Sequence, residues 1–286
     1  MSLDLLIDVL LDSLLDSLKI LPFLFLAYLG IELIEERAEE KTVALIDRAG
    51  CWGPVFGGVL GVVPQCGFSA ATANLYAGGL ISRGTLIAVF LSTSDEMLPI
   101  LISHSVPLPF ILKVLLVKAL AGMLAGVLID LALRRRDKRD RHIHDMCEQE
   151  GCRCEEGPFL SALRHTVKIF LFLLAVSFLV GLAVESLGAE RLSGFILNRP
   201  VLGELLAALI GLIPNCAASV IITELYLQGG MSLGAMLAGL LTGSGVGLLV
   251  MFRMNHDRRD SLLTLGLLYA SGVLLGLLAG QLPLGM

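Results

Sequence analysis

Two adjacent carboxylates, Asp95 and Glu96, lie inside an otherwise apolar stretch, LSTSDEMLPIL. If this stretch crosses a membrane, a charge at its centre costs at least ~2.5–3.5 kcal/mol on insertion scales, so the side chain faces a cavity or a partner. We favour cation or proton binding, with Asp95 ahead of Glu96. Adjacent helical positions point about 100° apart, so both carboxylates face one site only if Pro99 or local unwinding opens the turn. The alternative is a structural pair with Lys113 or Lys118 of the next segment.

Two Pro-x-Cys sequences, PQC and PNC, supply a second set of candidate ligands. Gln65 and Asn215 precede Cys66 and Cys216 where a helix is expected to break, and unwound backbone offers carbonyl and amide groups to a bound ion. We favour a site role for both amides over a simple tight turn. The cysteines would supply two soft ligands if the two breaks converge, although a buried cysteine is often only a small apolar side chain.

Polar residues further along the same segments extend these sets. Asn74 and Glu224 stand 150 positions apart, as do Ser69 and Ser219, so each pair occupies equivalent places in two halves of the chain. Glu224 is a candidate for proton coupling because ionisable residues inside membrane segments commonly form proton relays. We predict that all four side chains contribute to ion binding.

A loop between the halves, HIHDMCEQEGCRCEE, carries a cluster of soft ligands: His142, His144, Cys147, Cys152 and Cys154. Thiolates and imidazoles suit Zn²⁺, Cu⁺ or Cd²⁺ far better than a hard cation. The functional interpretation is a cytoplasmic loop that loads or senses metal. The alternative is a disordered connector that runs from basic to acidic, since the spacing is not a standard CxxC pair.

The chain contains an internal sequence repeat, whose two copies align at an offset of 150 residues without a gap. GVVPQCGFSAATANLYAGGLISRGT, in the first half, aligns with GLIPNCAASVIITELYLQGGMSLGA in the second. Chance apolar similarity would not keep Pro, Cys, Tyr and Gly in register, and self-similarity at a fixed offset indicates a repeated architecture. The matched tyrosines are predicted to lie at the membrane interface or to serve packing. Matched pairs include Gly61/Gly211, Pro64/Pro214, Cys66/Cys216, Ser69/Ser219, Tyr76/Tyr226, Ser82/Ser232, Gly84/Gly234, Ser94/Ser244, Gly122/Gly272 and Gly126/Gly276.

Each half is predicted to form five helical segments, which makes the chain an all-α polytopic membrane protein with two inverted repeats. Spanning the hydrocarbon takes about 20 residues, so the segments that flank Pro64 and Pro214 are too short to cross comfortably and are expected to be broken or re-entrant. An odd number of crossings per half inverts the second copy, an arrangement typical of secondary transporters. The predicted segments are 18–36, 51–63, 66–81, 84–103 and 109–133, then 161–185, 201–213, 216–230, 232–252 and 260–283.

The composition also indicates a membrane protein. Of the 286 residues, 56% are hydrophobic and 16% are charged, with a mean hydropathy of +0.83, whereas soluble domains carry roughly 25% charged residues. These values argue against an ordinary cytosolic enzyme, and we expect no enzymatic activity. The net charge of −5, with one short basic loop, argues against nucleic-acid binding. The sequence shows no nucleotide-binding motif, so a gradient-driven carrier fits best.

Four parts follow one another along the chain. Residues 1–17 carry an Asp at every fourth position and are predicted to form an amphipathic helix that lies at the membrane interface or packs beside the bundle. The alternative is an acidic stripe that collects cations. The first repeat spans 18–133, a connector spans 134–160, and the second repeat spans 161–286. Six of the 21 Lys and Arg residues lie at 134–141, which predicts a cytoplasmic connector and external termini in the inner (plasma) membrane.

These sequences resemble a family of ten-span bacterial and archaeal heavy-metal exporters, variously labelled arsenic efflux proteins or manganese transporters. The resemblance is carried by GVVPQCGFSAATANLYAGGLISRGTL, by AVFLSTSDEMLPIL, and by HDMCEQEGCRC with the second-half echo GLIPNC. It covers nearly the whole chain. It implies export of a metal or metalloid ion across the inner membrane.

The candidate ligands suit two kinds of ion. Mn²⁺ prefers oxygen from Asp95, Glu96 and the amide side chains, whereas trivalent arsenic or Cd²⁺ would be held by the two Pro-x-Cys thiols. We predict a proton-coupled exporter that needs no cofactor besides the transported ion. Its partners are the lipid bilayer, the ion and H⁺, and the oligomeric state is left open. The alternatives are a cation-coupled transporter of an organic or inorganic anion and a membrane metal sensor that does not transport.

Overall fold

Helices make up all of the regular structure in the described part of the chain, which confirms the all-α prediction. Single positions between 10 and 29 and between 159 and 179 are also described and are helical, and Phe25 packs edge to face against Phe159 with ring centroids 5.3 Å apart. The continuous stretches that the computed structural model describes are 52–62, 66–94, 97–133, 201–255 and 257–281.

Two groups of five helices have defined bounds in these stretches. The helices of the first group are Gly53–Leu60 (α1), Cys66–Ala77 (α2), Arg83–Ser92 (α3), Met97–Ser103 (α4) and Leu108–Leu133 (α5). Those of the second group are Leu202–Gly211 (α6), Cys216–Leu227 (α7), Leu233–Thr242 (α8), Gly247–Met254 (α9) and Arg258–Ala279 (α10). The first residues of α7 to α10 each lie 150 positions after those of α2 to α5, so these helix starts recur with the offset found in the sequence.

Four stretches of the described residues are long and apolar enough to cross a membrane: Arg83–Ser103, Leu108–Leu133, Leu233–Met254 and Arg258–Ala279. The first and third of these join α3 to α4 and α8 to α9 across a short break, and both are mostly buried. By contrast, only 39% and 33% of the apolar windows of α5 and α10 are buried. Leucines recur at every fourth residue along the exposed face of α5. An apolar face of this length is suited to contact with lipid.

The fourth segment of each half, predicted at 84–103 and 232–252, is a spanning stretch that is interrupted near its middle. The chain leaves the helical conformation between α3 and α4 and again between α8 and α9. At the first break the hydroxyls of Ser92 and Thr93 donate to main-chain carbonyls four residues earlier, at 2.8 and 2.7 Å, a pattern that bends helices. At the second break Gly245 adopts a positive φ of 53°, which glycine accommodates readily.

Small residues hold the helices of each group close together. α3 lies between α1 and α5, and α8 lies between α6 and α10. A Cβ atom added to Gly126 of α5 would lie only 2.8 Å from the Cβ of Ala88, and one added to Gly276 of α10 only 2.5 Å from the Cβ of Ala238, the equivalent alanine. Small residues at helix crossings let backbones approach closely in membrane bundles, and the two groups use this contact at equivalent positions.

The two groups interlock, because helices of each group pack directly against helices of the other. α9 of the second group packs against α2 of the first, and α7 of the second packs against α4 of the first, while α3 and α8 also contact each other. Residues of both groups therefore share the two main core clusters: Phe90 and Met251 belong to one, and Leu101 and Leu225 to the other. This interlocking brings both interrupted helices into the contact between the groups.

Candidate functional site

The predicted ligands fall partly outside the described residues. That is the case for Asp95, Glu96 and Gln65, and for the connector ligands His142, His144, Cys147, Cys152 and Cys154. For Cys66 and Cys216 the structure describes the backbone, at the first residues of α2 and α7. Their convergence on an ion therefore stays a prediction.

Both predicted serines lie close to the interrupted helix of the second group. Ser69 of α2 is fully buried, and a Cβ added to Gly247, the first residue of α9, would lie 2.9 Å from its Cβ. Ser219 of α7 is also buried, and a Cβ added to Gly243 at the break would lie 3.7 Å from its Oγ. The structure thus brings two hydroxyl-bearing residues from different groups to the two sides of one break.

The two predicted amides have different surroundings. Asn74 is completely buried within α2. Asn215 is half-buried in the turn between α6 and α7, where its N–H donates to Ile213 O at 2.7 Å and its carbonyl accepts from Ala218 N at 3.2 Å. The backbone of Asn215 is therefore part of a tight turn, while its side-chain role in ion binding stays a prediction.

Lys118 is the charged residue that joins the two interrupted helices. It lies on α5, is only 1% exposed, and donates from Nζ to the carbonyl oxygen of Thr93 just after α3. The same Nζ donates to the carbonyl oxygen of Leu240 in the last turn of α8, at 2.9 Å. Lys113, the other lysine considered in the sequence, is exposed on α5. Of these two lysines, Lys118 is the one at the break that precedes Asp95 and Glu96.

The electrostatics at Lys118 follow from the two helix ends. Each α-helix carries roughly −0.5 of an elementary charge at its C-terminus, where carbonyls lack helical donors. The C-terminal ends of α3 and α8 both present a carbonyl to the ammonium of Lys118. A cation is therefore favoured at this point, and the buried lysine supplies one.

Glu224, the predicted proton-coupling residue, lies at a different place. Its Oε1 is 3.0 Å from Nε2 of His104, just beyond α4, and the two side chains are 34% and 48% exposed. Beside them, the rings of Phe110 and Tyr226 stack with centroids 6.1 Å apart and an angle of 4° between their planes. Glu224 thus lies near the C-terminal end of α7 in a partly exposed position, paired with a side chain that follows α4.

A buried ion pair that the sequence analysis did not predict links the groups. Arg83 of α3 bonds through Nη2 to Oδ1 of Asp260 on α10, and both side chains are less than 10% exposed. The hydroxyl of Tyr76 donates to Asp260 Oδ2 at 3.0 Å and accepts from Arg83 Nε at 3.1 Å. Asn255 Nδ2 donates to the same carboxylate at 2.6 Å. Tyr76 is buried, as packing requires, and its hydroxyl also completes this polar cluster.

Glu204 is a second residue that sequence reasoning missed. It lies in the first turn of α6, is 5% exposed, and its Oε2 has no hydrogen-bond partner among the described residues. Its Oε1 would lie 2.7 Å from a Cβ added to Gly234, at the N-terminal end of α8. At the equivalent end of α3, Asp130 accepts from Ser82 Oγ at 2.5 Å and from Gly84 N at 2.8 Å. Each group therefore has a carboxylate at the N-terminal end of its interrupted helix, α3 or α8. The carboxylate comes from α5 in the first group and from α6 in the second.

Metal-ligating side chains do not gather in the described part of the chain. Within it, no three or more His, Cys, Asp or Glu side chains form a group that could hold a metal ion.

The apolar spanning helices and their lipid-suited faces define a class, that of multi-pass helical membrane proteins, here with two interlocked groups around interrupted helices. The chain belongs to the ArsP_2 family, described as "Putative, 10TM heavy-metal exporter", whose model matches residues 2–190, more than half of the chain. No curated protein and no solved structure matches it. The matched range contains the whole first group of helices.

Proposed function

We propose that this protein exports a metal or metalloid ion from the cytoplasm by proton-coupled secondary transport. The observation that carries the proposal is the pair of interrupted helices, α3–α4 and α8–α9, at matching positions of two interlocked groups. Discontinuous helices at corresponding positions of two halves are typical of the substrate and coupling-ion sites of secondary transporters. Membership of a heavy-metal exporter family supports the substrate class and the direction.

Transport would proceed by alternating access between two inverted repeats. The recurrence of helix starts at an offset of 150 supports the repeat, and an odd number of crossings in each half would invert the second copy. The basic run at 134–141 supports a cytoplasmic connector, with both termini on the outer side of the plasma membrane. Rocking of one repeat against the other would expose the interrupted helices to each side in turn.

The transported ion would bind beside the first break. Asp95 and Glu96 follow Ser94 directly, and the helix α3 has already ended at Ser92. Their counterparts in the second half, Gly245 and Val246, carry no charge, so the acidic pair belongs to function and not to the repeated fold. Carboxylates suit Mn²⁺, whereas participation of the two Pro-x-Cys thiols would favour arsenite or Cd²⁺.

A second candidate function is transport of an anion coupled to a cation. The buried ammonium of Lys118 at the break is the observation that favours it, because a buried cation would attract an anionic substrate. In that case Asp95 and Glu96 would bind the coupling cation.

The test is elemental analysis of cells that express the protein, against cells with an empty vector, grown with sub-toxic Mn²⁺, Zn²⁺, Cd²⁺ and arsenite together. We expect a selective fall in the cellular content of one element, which would identify the substrate. Unchanged contents of all four, with the protein confirmed in the membrane, would contradict metal export and favour the anion candidate.

Replacement of the first carboxylate tests the site itself. Asp95→Asn is expected to abolish export while membrane insertion is unchanged, because the amide keeps the size of the side chain and loses its charge. Asp257→Asn is a matched control: Asp257 is exposed and caps α10, and asparagine caps helices equally well. Full export by Asp95→Asn would remove the central claim about the site.

Proton coupling is tested at Glu224. Glu224→Gln is expected to reduce export strongly and to abolish its dependence on an imposed proton gradient in vesicles, because the amide cannot carry a proton in and out. Its effect on stability should stay within about 1 kcal/mol, since polar pairs near the surface contribute little. His104→Gln, which removes the other half of the same pair, is the control and should retain gradient dependence. Gradient dependence that survives in Glu224→Gln would assign coupling elsewhere.

A further inference from the structure

The ammonium of Lys118 occupies a position where the fold itself does not require a charge. Leu268, 150 positions later in the chain, is the counterpart of Lys118 on α10 and is fully buried. An apolar side chain therefore satisfies the packing at the equivalent place. The positive charge of Lys118 has to be explained by its own acceptors.

Two of those acceptors are carbonyl groups at helix ends. In a continuous helix the carbonyl of Leu240 would accept from the N–H of Ser244, but that N–H donates to Thr242 O at 2.9 Å. Thr93 lies one residue past α3, and its own N–H donates to Val89 O at 3.0 Å. The carbonyls of Thr93 and Leu240 are thus turned toward the space that the ammonium fills. Buried carbonyls that lose their donor are costly.

Oxygen atoms at the C-terminal ends of half-helices coordinate Na⁺ or H⁺ in secondary transporters. We propose that the C-terminal ends of α3 and α8 form a binding site for a monovalent cation, and that the Lys118 ammonium is the tethered occupant of that site. The ligand class is an alkali cation or a small alkylammonium. Because the cation is covalently attached, no free Na⁺ or K⁺ is needed to hold the two breaks together.

Lys118 is thus a positioning residue for the two breaks, which deepens the proposed function. Only the expected effect on transport rests on the proposed function, and cation binding at the site does not. Export by the unmodified protein should be unchanged when external Na⁺ is replaced by K⁺ or by N-methylglucamine. Binding to the vacated site is measured on the purified protein without any transport, so failure of the site and failure of the exporter are distinguishable.

The main experiment uses the purified full chain with Lys118→Ala, which opens the site, and Lys113→Ala, which removes an exposed lysine from the same helix. Thermal unfolding is recorded in Na⁺, K⁺, methylammonium and N-methylglucamine at equal ionic strength. For Lys118→Ala we expect the Tm to fall by about 5 °C or more in N-methylglucamine and to be regained saturably with one of the small cations. Lys113→Ala and the unmodified protein should show the same Tm in all four salts.

Lys118→Met keeps the length of the side chain and serves if Lys118→Ala does not fold. It should lower the Tm in every salt, because it fills the space and offers no donor, while Lys118→Arg should retain most of the Tm. A Lys118→Met protein as stable as the unmodified one, or a folded Lys118→Ala protein indifferent to all cations, would overturn the site. Recovery of the Tm in the Lys118→Met/Asp95→Asn double variant would overturn it as well, because Lys118 would then be only a counter-ion.

Discussion

At the scale of single residues, the ion pair between Arg83 and Asp260 shows how the two groups differ where their backbones match. The counterparts of this pair, at the offset of 150, are Leu233 and Phe110. In the second location Phe110 stacks on Tyr226, where the first has Tyr76 bonded to Asp260. One contact between the groups is therefore polar and the equivalent one is aromatic, although both are built on a matched tyrosine.

Breaking this ion pair should be strongly destabilising. Arg83→Leu or Asp260→Phe alone is expected to cost about 3–5 kcal/mol of unfolding free energy, because each leaves one charge buried without its partner. The double variant Arg83→Leu/Asp260→Phe copies the residues of the equivalent place and should regain a large part of that loss. Thermal or denaturant unfolding of the purified protein measures both effects.

Arg259→Leu, at an exposed position beside Asp260, controls for loss of an arginine and should change stability little. Strictly additive losses in the double variant would show that Arg83 and Asp260 are not coupled. That result would contradict the description of the pair as one buried unit.

At the scale of helices, close contacts between backbones set the geometry of each group. A Cβ added to Gly84 would lie 2.2 Å from the carbonyl oxygen of Gly126 and 2.4 Å from the carboxyl carbon of Asp130. The first neighbour is backbone, which cannot move aside without separating α3 from α5, and the second belongs to the half-buried side chain of Asp130. The carboxylate that bonds to the N-terminal end of α3 would be displaced by the same change.

Gly84→Ala and Gly126→Ala should each reduce stability by roughly 1–3 kcal/mol, the usual range for an overpacked contact. Gly266→Ala is the matched control, because Gly266 of α10 is exposed and a Cβ there meets nothing within 4 Å. Alanine favours a helix over glycine, so the control should be neutral or slightly stabilising. Equal unfolding temperatures for all three variants would contradict the close approach of α3 and α5.

Helix bounds were predictable where hydropathy and glycine define them. The prediction of 109–133 differs from α5 by one residue at its start, and the predicted start at residue 216 is that of α7. The prediction of 66–81 is too long, because Gly79 turns the chain with a φ of 72°. The interruption after Ser92 was not predicted, since hydropathy does not register hydroxyls that bond back to their own helix.

The site was less predictable than the helices, for a physical reason. Arg83 and Asp260 are 177 residues apart, and no periodic pattern marks a contact made only in the assembled bundle. The role of Lys118 was equally difficult to predict, because the carbonyls of Thr93 and Leu240 become available to it only where α3 and α8 end. Glu204 was visible as an acidic residue in a short segment and was overlooked.

At the scale of the whole molecule, the connector distinguishes a transporter from a sensor. Deletion of residues 142–154 removes all five soft ligands of the connector but none of the described helices. A transporter should retain a substantial part of its metal export after this deletion, because the proposed path lies between the helix groups. A sensor would lose its entire response.

The measurement is the metal content of cells that express the deleted form, compared with the full chain at equal membrane abundance. Replacement of residues 142–154 by a Gly/Ser segment of the same length controls for the shortened link between the halves. Export that disappears in both forms would contradict this prediction and would make the connector essential for transport.

The contact between Lys118 and Leu240 also has a consequence for synthesis. The two residues are 122 positions apart, and a ribosome that adds roughly 5–20 residues per second needs about 6–24 s to travel between them. Throughout that time α2 exists without α9, and Lys118 lies in a helix while one of its acceptors has not yet been synthesised. The nascent first half is therefore incompletely folded until the second half has been synthesised. Any delay in translating the second half lengthens its exposure to membrane proteases.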